Sequence, residues 1–381
     1  MKKIFAVPVL SVLVASAHAQ STVTLYGVIE DGLNFTNNVG GNKVYELQSG
    51  FVQGSRWGLK GKEDLGGGLK AIFQLENGFN VNNGRLGQGG LMFGRQAYFG
   101  LASDRFGTVT VGRQYDSVVD YLAQTTANGN WAGFIFSHPY DNDNTDNSFR
   151  VNNTLKYASP DLSGFQFGGT YSFSNDTNFA NNRQYSLGAQ YANGSLLIAA
   201  AYLQANNPSA TARGAITNAG DENFLAKRLQ IFGAGVNYTF GPATVGVAYT
   251  NTYATQLQSS GYVGAITPPT GTVSSLRFHN FEVNGKYQLT PAFYVGAMYA
   301  YTRADLNTTT SGKQHPNYQT VGLMADYNQS KRTDIYLQGA YQHVGGDKTG
   351  TVLDAAYVPG ADDVSSTRNQ LLVRAAIRHK F

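Results

Sequence analysis

The feature that most constrains this chain is a two-residue rhythm in which one face of a segment is apolar and the other is polar or charged. In residues 23–33, Val23, Leu25, Gly27 and Ile29 alternate with Thr24, Tyr26, Val28 and Glu30. In residues 55–63, Trp57 and Leu59 oppose Arg56, Lys60 and Lys62. Leu69, Ala71, Phe73 and Leu75 then oppose Lys70, Ile72, Gln74 and Glu76. The same pattern returns around Leu187, Val236 and Val283, and again in residues 370–381. There Leu371, Val373, Ala375 and Ile377 share a face with Phe381, opposite Arg374, Arg378 and Lys380. Period two means strands with two unlike faces. Each segment is about ten residues, the length of a tilted strand crossing a bilayer.

The connections alternate as well. Short turns fall at residues 64–68, 104–107, 159–164, 192–194, 241–242, 290–291 and 328–332. Long polar loops fall at residues 34–50, 80–92, 116–147, 174–182, 205–227, 253–275, 304–315 and 343–367. Seven turns and eight loops make fifteen connections and therefore sixteen strands. Short on one side and long on the other is the layout of outer-membrane barrels. The expected fold is all-β: a 16-stranded antiparallel transmembrane β-barrel with its third loop folded inward.

Composition agrees with this class. Charged residues are 14%, yet mean hydropathy is only −0.27, too low for a helical membrane protein. The 381 residues include 45 Gly, 24 Tyr and 22 Phe, which suit turns and aromatic girdles. Lys2 and Lys3, the apolar residues 4–14 and the small residues around Ala17-His18-Ala19 read as a secretory signal, residues 1–19, cleaved after Ala19. Residues 20–381 then form one domain. Loss of two lysines lowers the formal charge from +4 to +2, which gives no support for nucleic-acid binding. An exported chain with 0 cysteines has no disulfides, and a closed barrel is one way to do without them. The longest apolar run after the signal, residues 196–203, is less than half the roughly 20 residues a spanning helix needs.

The third loop, residues 116–147, carries Asp116, Asp120, Asp141, Asp143 and Asp146, interleaved with Trp131, Phe134, Phe136 and Tyr140. Arg113 stands before it and Arg150 after it. A loop this long is functional or disordered. A charge on the lipid face of a barrel costs roughly 2–4 kcal/mol at mid-membrane, so the face with Arg56, Lys60 and Arg150 is expected to look into water. Arg95 shares parity with Phe99 and Leu101. The same cost argument places it inside, with either a reversed face or a bulge as the device. On the strands, cations outnumber Glu30, Glu76 and Glu282, which hints at weak anion preference. The loop aspartates oppose it.

The chain resembles the general diffusion porins of beta-proteobacterial outer membranes. The resemblance rests on Gln20-Ser21-Thr22-Val23-Thr24-Leu25-Tyr26-Gly27, on Gly54-Ser55-Arg56-Trp57-Gly58-Leu59-Lys60-Gly61-Lys62-Glu63-Asp64-Leu65-Gly66 and on Gly94-Arg95-Gln96-Ala97-Tyr98. Val111-Gly112-Arg113 and the ending Arg378-His379-Lys380-Phe381 complete it. It spans the whole mature chain and is firmest at its ends. It implies a homotrimer in contact with outer-membrane lipid and lipopolysaccharide, and an eyelet formed by the third loop. It implies that Phe381 is read by the barrel insertion machinery. It also implies that Arg56, Arg95 and Arg150, with Arg113 at the loop's start, face the acidic loop, on which Asp116 and Asp120 match best. The short Pro-Glu-Phe-Gly run of better-known cation-preferring porins is not visible in the later part of the loop.

Other classes fit less well. A barrel protease or phospholipase needs an oriented base, and His138, His279, His315, His343 and His379 form no recognisable arrangement; most of them read as loop or rim residues. No metal or cofactor site is read. Residues 141–146 suggest calcium, but the sixth and twelfth EF-hand positions would be Asp146 and Asn152, where Gly and Glu are needed. A substrate-specific channel is the nearest rival, and it would need a stacked aromatic track or a dedicated site.

Overall fold

The computed structural model describes residues 21–217, 221 and 224–381. The expected signal segment, residues 1–19, lies outside them. Sixteen strands follow one another in antiparallel order and close into a ring. The first eight are β1 (Thr22–Val39), β2 (Asn42–Ser49 and Arg56–Gly66), β3 (Leu69–Gly78), β4 (Gln96–Ser103), β5 (Gly107–Gln114), β6 (Val151–Ala158), β7 (Phe165–Ser172) and β8 (Gln184–Asn193). The second eight are β9 (Leu196–Asn206), β10 (Arg228–Phe240), β11 (Ala243–Thr255), β12 (Val273–Thr290), β13 (Phe293–Thr308), β14 (Gly312–Gln314 and Pro316–Asn328), β15 (Thr333–Gly346) and β16 (Asn369–Lys380). β16 pairs back onto β1 from Val28↔Lys380 to Thr36↔Leu372. Beyond that register, Gly27 and Phe381 exchange two backbone hydrogen bonds of 3.1 and 3.0 Å. The ring of Phe381 lies where a Cβ on Gly27 would sit, so glycine is what lets the last residue close the seam.

The alternation has its expected meaning. Leu25, Phe99, Leu187 and Leu323 are exposed on the outside, while Glu30, Asn34, Thr250 and Asn280 on the opposite faces are wholly buried inside. A closed sheet with a greasy exterior satisfies its backbone without an edge, as lipid requires.

Two of the expected loops are strand instead. Residues 34–50 continue β1 to Val39, turn at Gly40-Gly41 and return in β2. Residues 304–315 continue β13 to Thr308 and return from Gly312. Leu33, Tyr45 and Leu47 keep an apolar outward face on the first of these hairpins, with Asn34 and Thr36 inside. The run Asn34, Thr36, Asn37, Asn38, Gly40 and Gly41 reads as loop although the pairing persists. The number of strands is unaffected, because each error shortens a connection without removing it.

β2 is interrupted at residues 50–55, and Glu30 explains why. Its carboxylate accepts the backbone N–H groups of Phe51 (2.6 Å), Val52 (2.9 Å) and Gln53 (2.6 Å). A buried carboxylate holding three amides turns the chain out of the ladder and pushes Phe51 toward the barrel axis. Tyr336 also donates to Glu30, and Arg374 stands 3.6 Å from it, stacked 4.2 Å over the Phe51 ring.

Residues 116–147 pack on the faces of the wall opposite the lipid side. Backbone glycines there leave room for aromatic rings: a Cβ on Gly322 would lie 1.6 Å from Phe136, and one on Gly296 would lie 2.4 Å from Trp131. Gly322→Val is therefore expected to lower the unfolding free energy by about 1–3 kcal/mol, the usual cost of overpacking. Urea unfolding of the folded barrel measures it; an unchanged midpoint would show that Phe136 does not need this space.

Candidate functional site

A polar cavity of about 740 Å³ lies between the barrel wall and the third loop. One side is wall: Arg56, Arg95, Arg150 and Tyr115. The other is the third loop, through Val119, Asn128, Phe134 and residues 145–148, together with Phe51 and Tyr262.

Each cation has a different fate. Arg95 sits at a bend just ahead of β4, so the parity of that strand does not govern it. Phe99 and Leu101 stay outside, while the Arg95 guanidinium turns inward. Its Nε donates to Glu76 Oε1 (2.8 Å) and its Nη2 to the Tyr115 hydroxyl (3.0 Å). Arg113 falls at a register shift in β5 and is turned away from the cavity. It donates to both carboxylate oxygens of Asp221 (2.7 and 3.0 Å), to Asn152 (2.7 Å) and to the Gly94 carbonyl (2.7 Å). This planar fork-on-fork pairing is the strong form of an arginine contact. Lys60 lies four residues beyond Arg56, over the Tyr26 ring at 5.3 Å and outside the cavity lining. Arg56 and Arg150 remain. Among the described residues, no carboxylate forms an ion pair with either guanidinium. Arg150 rests 5.8 Å from the Tyr115 ring, and its Nε is buried without a hydrogen-bond partner.

The loop acids are mostly engaged elsewhere. Asp116 accepts from the Val118 N–H (2.7 Å) and from Asn144 (2.8 Å). Burial nevertheless pushes its carboxyl up to about 6. Asp120 is paired with Lys156 on β6; burial raises it against that pull. Asp141 accepts from the backbone of Asp146 (3.0 Å) and from Ser148 (3.2 and 2.5 Å), closing the end of the loop. Burial, then neighbouring Asp143, pushes it up to about 7. Only Asp146 lines the cavity. Burial, with Asp141 next, holds it well above the ordinary carboxylate range. Among the described residues, no group of acids and histidines has the spacing to hold a metal ion.

Asp143 belongs to a feature that the sequence did not disclose. His138 bridges two acids, with Nδ1 2.6 Å from Asp143 and Nε2 3.2 Å from Glu282 on β12. Glu282 also accepts the Ala127 N–H at 2.7 Å, and Asp143 accepts from Thr250 on β11. His138 is thus no rim residue but a buried pin between loop and wall. Asp221 was missed too, because nothing in residues 205–227 ties that acid to Arg113 in one dimension. The only available signal for His138 was its place between aromatics and aspartates.

The closed sixteen-strand barrel and its charged interior suit a channel. Comparison with known proteins agrees. Residues 6–347 match the model of the Gram-negative porin family, and the chain belongs to that family. An outer membrane porin protein of Bordetella pertussis is 32% identical over 377 residues, covering 89% of this chain and 94% of that one. Outer membrane porin protein 32 of Delftia acidovorans is 37% identical over 172 residues, covering 43% and 48%. Among solved structures, the anion-selective porin from Comamonas acidovorans superposes with a TM-score of 0.70 at 22% identity, covering 95% of this chain and all of that one. A trimer form of OmpT from Vibrio cholerae gives 0.64 at 17%, covering 95% and 99%. This chain is a porin of the Gram-negative outer membrane, forming a channel for passive diffusion.

Burial works against a charged His138, but Asp143 and then Glu282 outweigh it and push it from 6.5 up to about 10. A raised value means that the charge stabilises the docked loop fully below pH 6.5 and that this contribution fades as pH climbs toward 10. Open-channel noise is expected to grow over that interval as the loop loosens, and His138→Gln should remove the dependence. Noise that stays flat between those limits would show that the bridge does not hold the loop.

Proposed function

We propose that residues 116–147 narrow the channel and that the cavity beside them is the passage where solutes are selected, with a preference for anions. The observation that carries this is the imbalance of free charge. Among the described residues, Arg56 and Arg150 face the space without an ion-pair partner, whereas Asp116, Asp120, Asp141 and Asp143 are bound to the loop or the wall. Of the five loop acids, Asp146 is the one that lines the space opposite them. Fixed cations in a narrow aqueous throat attract counter-ions and repel cations. The anion selectivity named for the Comamonas acidovorans structure supports the reading, as do the unpaired guanidiniums.

We further propose that residues 1–19 are removed, that residues 20–381 act as one domain in a homotrimer, and that Phe381 is recognised by the insertion machinery. Lipopolysaccharide is the expected neighbour outside. Arg228, Arg277 and Arg303 lie on the lipid-side parity of β10, β12 and β13 near their outer ends, where phosphate groups rather than acyl chains can meet them.

Reversal potentials in a potassium chloride gradient test the charge reading. The native channel is expected to favour chloride, and Arg56→Gln with Arg150→Gln to bring the permeability ratio roughly to one. A native channel that favours potassium would falsify the proposal.

A further inference from the structure

The space that holds the two free guanidiniums also holds an aromatic ledge. Phe134 from the third loop and Tyr262 from the loop after β11 stand 5.8 Å apart at 37°. Phe51, from the interruption of β2, meets Phe134 edge-on at 5.8 Å and 71°. Three separate segments therefore bring their rings to one place. The arrangement is fixed by the Phe134 N–H, which donates to the Phe51 carbonyl at 2.8 Å, and by Tyr262, whose hydroxyl bonds Ser148. Gly133, at φ +74, makes the first contact possible: a Cβ there would lie 2.3 Å from the Phe51 carbonyl oxygen. Phe134 and Tyr262 are only half-buried. Open aromatic faces in a watery passage order solvent and do nothing for chloride. They do favour a solute with a flat apolar body.

We infer that this passage favours small aromatic carboxylates of the benzoate type, with the carboxylate drawn to Arg56 and Arg150 and the ring sliding over Phe134 and Tyr262. The inference rests on the anion-preferring reading above and adds the chemistry of the anion. A guanidinium fork matches a carboxylate in two hydrogen bonds. Arg56 and Arg150 both line the space that Phe134 and Tyr262 also border. Ring contacts favour the aromatic acid by roughly three- to ten-fold over an acid of equal charge without a π face.

The test compares sodium benzoate with sodium cyclohexanecarboxylate in bi-ionic reversal potentials across planar bilayers holding the purified full-length channel. The two acids share charge and ring size, so their permeability ratio on one channel is its own control. Benzoate is expected to pass about three- to ten-fold more readily. Phe134→Leu with Tyr262→Leu should bring the ratio to about one; Tyr262→Leu alone should lower it if the double variant does not insert. Equal passage of the two acids through the native channel, or a preference that survives the loss of both rings, overturns the inference and leaves the anion reading standing. Exclusion of both acids in favour of sodium overturns the anion reading and this inference with it.

Discussion

Every other feature depends on closure. In hydrocarbon an unpaired peptide group costs several kcal/mol, so a sheet can cross only if its first strand finds its last. Here β1 meets β16 over nine register pairs. The seam reaches the final residue because Gly27 yields its side-chain space to Phe381. Closure in turn separates two solvents. Outside, the strands meet acyl chains. Inside, they surround water and can carry arginines that would be intolerable on the other face.

The interior then faces its own problem, because a loop of some thirty residues must be held there without filling the channel with frustrated charge. The chain uses its acids for that task. Asp116 and Asp141 tie the loop to itself, while Asp120 reaches Lys156 on the wall. His138 joins Asp143 to Glu282 across the loop–wall boundary, and Glu30 shapes the β2 break on which Phe134 docks. Buried ions are tolerable when paired and hydrogen-bonded on all sides. With four of the five loop acids engaged in this way, Asp146 is the loop acid that lines the cavity, together with Arg56, Arg95 and Arg150.

Much of the barrel was legible in the sequence, because a membrane enforces alternation more strictly than a soluble core does. Strand number survived even where residues 34–50 and 304–315 were misread, since a hairpin turn and a long loop count equally as one connection. The site was less legible. The alternation of Arg56 with Trp57 puts Arg56 on the face that lines the cavity. Arg95 could not be placed by parity because it precedes its strand. Which arginines stay free was hidden, because the answer lies in partners far away in sequence: Glu76 for Arg95 and Asp221 for Arg113.

A count of charges in the third loop therefore misleads. Five aspartates on 116–147 suggest a negative constriction, and that would hold if they pointed into water. Their burial shows the opposite for four of them: a carboxylate surrounded by its own loop's amides, or by a lysine or a histidine, contributes little field beyond its partners. On the proposed reading, selectivity is set by the residues left without a match. Arg56 is half-buried and Arg150 buried, yet both line the cavity, and among the described residues neither has an ion-pair partner. That the same cavity carries two half-exposed rings gives the passage two kinds of contact at once, one for charge and one for an apolar face.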